Sequence, residues 1–248
     1  MRKFNSMMLT AAAVAMLGSA AYAAPAPFSY EYDGNALPPA STPAWAEVNT
    51  TAGASASVSG GILTTATTDL ADNIEYYQSG PGAWNPTGAG TTVEARFKTN
   101  HGSNGYAGTL EIITPGSGGV DGRWFFLLLG NRWFTELRGG GELDLNSVGV
   151  HAEDDFHTYR FTLADENVGP LQLYVDDGTT PAYSWNGSSS GGRNRLAFGD
   201  GHSAANGDIQ WDYIQWTNEG AFAPVVPEPT MISLAGLSAV AMLRRFRR

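Results

Sequence analysis

The sequence predicts an all-β protein folded as an antiparallel β-sandwich, flanked by one apolar helix at each end. Three observations carry this. Short runs rich in β-branched and aromatic residues recur along the chain, separated by Gly, Asn, Asp and Pro clusters. The 31 Gly and 13 Pro among 248 residues leave few stretches long enough for a helix. Seven Trp, ten Tyr and eleven Phe against only 15% charged residues call for a buried core, which a disordered chain lacks.

Taken in order, the elements begin with an export signal. Arg2 and Lys3 precede the apolar run Met7 to Leu17, and Ala21-Tyr22-Ala23 supplies small residues for signal peptidase. Residues 1–23 therefore read as a secretory signal peptide, with Ala21 and Ala23 at the cleavage site and residues 24–27 as a short leader. The body spans 28–218. Thr91–Thr99 alternates, with Val93, Ala95 and Phe97 on one face and Thr92, Glu94, Arg96 and Lys98 on the other. Tyr106–Thr114 and the continuous apolar run Arg123–Leu129 follow, the latter suited to a strand covered on both faces. Arg132–Arg138 begins two residues later, and Gly130-Asn131 is a favoured hairpin pair because both residues tolerate positive φ. His157–Leu163, Leu171–Asp176, Ala182–Trp185 and Leu196–Phe198 continue the pattern. Strict alternation in Ile209–Trp216 puts Ile209, Trp211, Tyr213 and Gln215 on one face, and Gln210, Asp212, Ile214 and Trp216 on the other.

After a linker, 219–225, comes a tail in three parts. Val226-Pro227-Glu228-Pro229 precedes the mostly apolar Met231 to Leu243, and Arg244, Arg245, Arg247 and Arg248 close the chain. Thirteen residues rise ~20 Å as a helix, short of the ~30 Å hydrocarbon core, and flanking arginines can snorkel across part of the gap. The positive-inside rule keeps the arginines cytoplasmic and the body outside.

This tail resembles the PEP-CTERM sorting signal of exosortase systems. The resemblance implies a transient inner-membrane anchor, cut near the Pro-Glu-Pro by an exosortase, with delivery to the cell surface or extracellular matrix. The order of the body strands, with "HTYRFTL", "LQLYVDDG" and "WDYIQWT", is similar to the concanavalin A-like lectin/glucanase jelly roll in its laminin-G-like style. That superfamily includes lectins, glucanases, adhesion modules and inert spacers, so the fold leaves the activity open.

Composition excludes several chemistries. Without cysteine there are no disulfides, thiolate nucleophiles or cysteine metal sites. The net charge is −10, but six basic residues lie at the two ends; the body keeps 8 basic and 23 acidic residues, a balance of −15. So acidic a surface repels phosphate backbones, and nucleic acid is not an expected partner.

The catalytic candidate is Glu142-Leu143-Asp144-Leu145-Asn146, whose period of two would put Glu142, Asp144 and Asn146 on one strand face. Laminarinase-type glucanases carry Glu, Asp and Glu at this spacing. Here Asn146 replaces the second Glu, and an amide cannot donate and recover a proton, so no catalytic residue is assigned. Gly187 to Gly191 matches a nucleophile elbow only formally, because it lies in a polar loop. The four histidines show no ligand spacing.

Calcium is the expected cofactor, if any, since hard cations take several oxygen ligands from Asp- and Asn-rich turns. Asp200, Asn206 and Asp208 are the first choice, ahead of Asp176-Asp177 and Glu153-Asp154-Asp155. The alternative is that these residues serve only turn geometry. For a glycan, Trp84, Trp185 and Tyr106 are the expected platforms, because each borders a loop.

The combined expectation is an exported, non-catalytic surface protein that binds or packs against extracellular polysaccharide. A purely structural spacer and a glycan-active hydrolase or lyase are the alternatives.

Overall fold

The computed structural model describes residues 27–48, 52–68, 72–79, 82–100, 106–114, 122–129, 132–135, 142–165, 169–186, 194–200 and 207–225. Within them the strands, in chain order, are β1 (Tyr30–Tyr32), β2 (Ala46–Val48), β3 (Ala54–Ser59), β4 (Ile62–Thr67), β5 (Ile74–Ser79), β6 (Thr91–Thr99), β7 (Tyr106–Thr114) and β8 (Gly122–Leu129), followed by β9 (Arg132–Thr135), β10 (Glu142–Asp144), β11 (His157–Leu163), β12 (Leu171–Val175), β13 (Tyr183–Trp185), β14 (Arg195–Asp200) and β15 (Asp208–Thr217). All pairings are antiparallel. Sheet A runs β13-β12-β11-β6-β15-β4-β3, with β1 beside β15, and sheet B runs β10-β9-β8-β7-β14-β5-β2.

The expected sandwich is present, and the strands read from Thr91 onward fall within two residues of their observed ends, apart from β9, whose expected last three residues lie outside the described ones. Leu129 pairs with Arg132, so the β8–β9 connection has the two-residue length of the expected hairpin. The expected terminal helices and sorting signals lie outside the described residues.

The alternation expected for the last strand is broken. A β-bulge between Trp211 and Tyr213 sets one extra residue, Asp212, against β6. The alternation therefore resets: Ile209, Trp211, Ile214 and Trp216 all enter the core, while Tyr213 and Gln215 join the outer face. One inserted residue thus buries both indoles of the strand.

The core lies between the sheets. Sheet A contributes Val93, Ala95, Phe97, Tyr159, Phe161, Trp211 and Trp216; sheet B contributes Tyr76, Leu110, Ile112, Leu196 and Phe198. Phe198 stands edge-on to Trp45 at 4.8 Å and to Trp211 at 5.0 Å, and such pairs add ~0.5–1.5 kcal/mol beyond their burial.

The segment expected as a linker is partly fixed. The Thr92 hydroxyl donates to the Gly220 carbonyl at 2.8 Å and accepts from the Phe222 amide at 2.8 Å, strapping 220–222 over the end of β6.

Candidate functional site

Where β6 crosses the centre of sheet A, its outward side chains are charged, and register decides what they meet. Glu94 lies opposite Arg160 of β11 and Gln215 of β15, and Gln215 lies opposite Glu31 of β1. These residues form one continuous row across four strands. Within it the Glu94 side chain is only 4% exposed and is fully engaged. Its Oε2 accepts from Arg160 Nε at 2.6 Å; its Oε1 accepts from Gln215 Nε2 at 2.6 Å and from the Tyr213 hydroxyl at 3.0 Å. Burial, and then the Glu94 charge, push the Tyr213 phenol up to about 12.

A second row is more open. Arg96 pairs with Asp212, the bulge residue, and stacks its guanidinium 5.1 Å from the Phe156 ring centre; Arg160 likewise lies 5.5 Å from the ring centre of Phe28. The outer face of sheet A is thus a fixed array of donors and acceptors bordered by aromatic planes. Such an array can bind a polyhydroxylated chain lying across the strands.

Sheet B carries a tighter arrangement. Arg195 of β14 pairs with Glu111 of β7, and at 3.3 Å with Glu75 of β5. Both carboxylates are buried and aimed at a single guanidinium.

The glucanase-like triplet that the sequence analysis set aside does not assemble. β10 ends at Asp144, and Leu145–Val148 turns into a 3-10 helix. The Asp144 carboxylate caps that turn by accepting the Asn146 amide at 3.1 Å. Asn146 therefore leaves the strand, and its face relation to Asp144 is lost.

The expected ligand platforms are placed differently from the expectation. Trp84 is 0% exposed and its indole N–H donates to the Ile113 carbonyl at 2.9 Å; Trp185 is 2% exposed and belongs to the core. Their loop-side position in sequence suggested exposure, but both indoles fill the interior at the ends of the sandwich and offer no open face. Tyr106 begins β7, and its side chain is outside the described residues, as is Asn206. Asp200, expected in a loop, closes β14 facing inward at 1% exposure, and accepts from the Thr67 hydroxyl at 2.6 Å. Asp208 opens β15 opposite Ala66. Among the described residues no three acidic or histidine side chains gather to hold a metal, and the loop that carries Asn206 lies outside them. His157 is engaged with Asp176 at 2.7 Å, in the turn where Asp176 and Asp177 adopt positive φ.

Sequence reasoning missed the Glu94 array. The alternation of β6 and β11 exposed Glu94 and Arg160 as outward residues, but their pairing depends on strand order, and the inclusion of Tyr213 and Gln215 depends on the bulge.

The fold is a two-sheet antiparallel β-sandwich, an architecture found among lectin and glucanase jelly rolls. No family model matches the chain, and no curated protein does. Among solved structures, Bacillus licheniformis β-glucanase is similar, with a TM-score of 0.50 at 14% identity over 78% of this chain and 99% of that one. An endo-1,3-β-glucanase from Streptomyces sioyaensis gives 0.48 at 14% identity over 78% and 98%. The metal-free Emp46p carbohydrate recognition domain gives 0.46 at 13% identity over 78% and 100%. At 14% identity, the likeness to the Bacillus licheniformis enzyme shows a shared fold alone.

Proposed function

We propose that the protein binds extracellular polysaccharide without cleaving it, using the outer face of sheet A. The Glu94 array carries the reading: four side chains from three strands hold their polar atoms in fixed positions, with Arg96 and Asp212 open beside them. A polysaccharide meeting the open Arg96 and Asp212 beside this buried array loses water hydrogen bonds and gains preorganised ones, at little ordering cost to the protein. Two features support binding over hydrolysis. The carboxylates of sheet B are tied to Arg195, and the second carboxylate of the expected triplet is replaced by Asn146, which lies off the strand.

Export and sorting belong to the same proposal. The signal peptide at 1–23 and the tail at 226–248 support passage across the inner membrane, an exosortase as processing partner, and a final position at the surface or in the matrix. No helix among the described residues is long and apolar enough to cross a membrane.

Affinity electrophoresis against neutral and acidic polysaccharides, with and without EDTA, tests the binding. Retardation by at least one polysaccharide is the expected result. Absence of retardation on every sugar favours the structural spacer, and loss of retardation with EDTA establishes a calcium requirement. New reducing ends after incubation with β-glucan or alginate would replace binding by hydrolase or lyase activity.

A further inference from the structure

The row that crosses sheet A ends at Glu31, and Glu31 opens into a groove of about 520 Å³ lined also by Tyr30, Asp33, Ser41, Thr42 and Pro43. We infer that this groove is a subsite for an uncharged hexose chain, an inference that rests on the polysaccharide reading above. Its volume falls within the ~300–1,000 Å³ of small-molecule sites.

The walls are built before any ligand arrives. Tyr30 stacks on Trp216 with ring centres 5.4 Å apart and planes 21° from parallel, and the Trp216 indole N–H is anchored on the Ala83 carbonyl at 2.6 Å. The facing loop is tied to β1, because the Tyr32 hydroxyl donates to the Ala36 carbonyl at 2.8 Å. The Ser41 hydroxyl spans the Pro38 and Pro43 carbonyls at 2.8 and 2.9 Å, fixing the turn that carries Thr42.

The chemistry of the lining selects the ligand. A pyranose presents an apolar C–H face and a rim of hydroxyls. Tyr30 and Pro43 supply apolar surface; the side chains of Glu31 and Thr42 make no hydrogen bond or ion pair among the described residues, so their capacity is open. Asp33 accepts the Asn35 amide at 3.1 Å and its side-chain Nδ2 at 2.6 Å, and these bonds hold its carboxyl below the usual range. Two carboxylates with two oxygens each accept neighbouring sugar hydroxyls and repel uronic acids. Glu31 is solvent-exposed, and an exposed ion pair contributes little, so the site does not depend on a cationic amino sugar. Because Glu31 also closes the row through Gln215 and Glu94, one chain can occupy groove and face together.

Titration calorimetry of the full chain with cellotetraose, laminaritetraose, a glucosamine tetramer and an alginate tetramer is the test, repeated on Glu31→Ala and Thr42→Val. The expected result is binding of a neutral tetramer, none of the alginate tetramer, and at least fivefold weaker binding by Glu31→Ala with an unchanged melting midpoint. Neutral binding untouched by both substitutions would overturn the groove and leave the polysaccharide reading intact. So would retardation by a polysaccharide with no neutral tetramer bound, or binding of the glucosamine tetramer alone that salt abolishes. If neither tetramers nor polysaccharides bind, both readings fall.

Discussion

At the scale of single residues, Glu94 and Arg96 neighbour one another on β6 and predict opposite costs. Glu94 is buried against Arg160, so removing the arginine strands a desolvated carboxylate, which costs ~3–5 kcal/mol. Arg96 faces Asp212 in a far more open pair, where loss costs ~0–1 kcal/mol. Urea unfolding of Arg160→Ala and Arg96→Ala should therefore separate the two, and equal midpoints would contradict the burial difference. Tyr213 gives a pH signature on the same array. Its phenol titrates higher in the folded protein than its ordinary 10, so the folded state favours the protonated form. The resulting stabilisation is complete below pH 10 and is lost as pH rises toward 12. Burial raises the Tyr32 and Tyr76 phenols as well, so Tyr213→Phe should lessen this alkaline fall without abolishing it, read as the urea midpoint at pH 9, 10 and 11. A wild-type midpoint constant across that range would contradict it. The outward direction of Glu94 and Arg160 was legible in the alternation of their strands. Their contact was not, because two strands 66 residues apart become neighbours only once the sheet order exists.

At the scale of elements, glycines mark where the chain turns, and their surroundings grade their cost. Gly60 and Gly61 join β3 to β4 with positive φ at both positions, the geometry of a tight hairpin. A Cβ at Gly60 meets nothing, so Gly60→Ala costs only its backbone strain, ~1–2 kcal/mol. Gly34 also has positive φ, but a Cβ there collides with the Gly61 carbonyl, so Gly34→Ala should cost clearly more. Thermal midpoints of the two variants in the reverse order would contradict this. This hairpin was overlooked in the sequence although its Gly-Gly signal was present. Its strands alternate Ala and Val with Ser, or carry Thr, and such small side chains give a weak hydrophobic contrast. The bulge at Asp212 was also invisible, since an extra residue is defined only by what it faces. In the same way, the period of two at Glu142–Asn146 said nothing of the carboxylate cap that ends β10 at Asp144.

At the scale of the whole molecule, the sandwich was legible because its strands from β6 to β15 are rich in β-branched and aromatic residues punctuated by turns. The ligand platforms were not, since the aromatics beside loops, Trp84 and Trp185, are drawn inward to close the ends of the core. What remains on the surface is the polar outer face of sheet A. The strap at 220–222 crosses one end of that face. Thr92→Val removes both of its hydrogen bonds, and should speed exchange of the Phe222 amide proton at least tenfold while leaving the β6 amides protected. Unchanged exchange would show that the strap is held by other contacts. The central claim is that the face of sheet A binds polysaccharide. It is tested most directly by the mobility of wild type and an Arg96→Ala, Asp212→Ala double variant, which removes the open pair and leaves the Glu94 array intact, in gels cast with and without a neutral glucan. The account predicts retardation of wild type by the glucan and several-fold weaker retardation of the variant at an unchanged melting midpoint. Equal retardation of the two, or a wild type that the glucan does not slow, would contradict it.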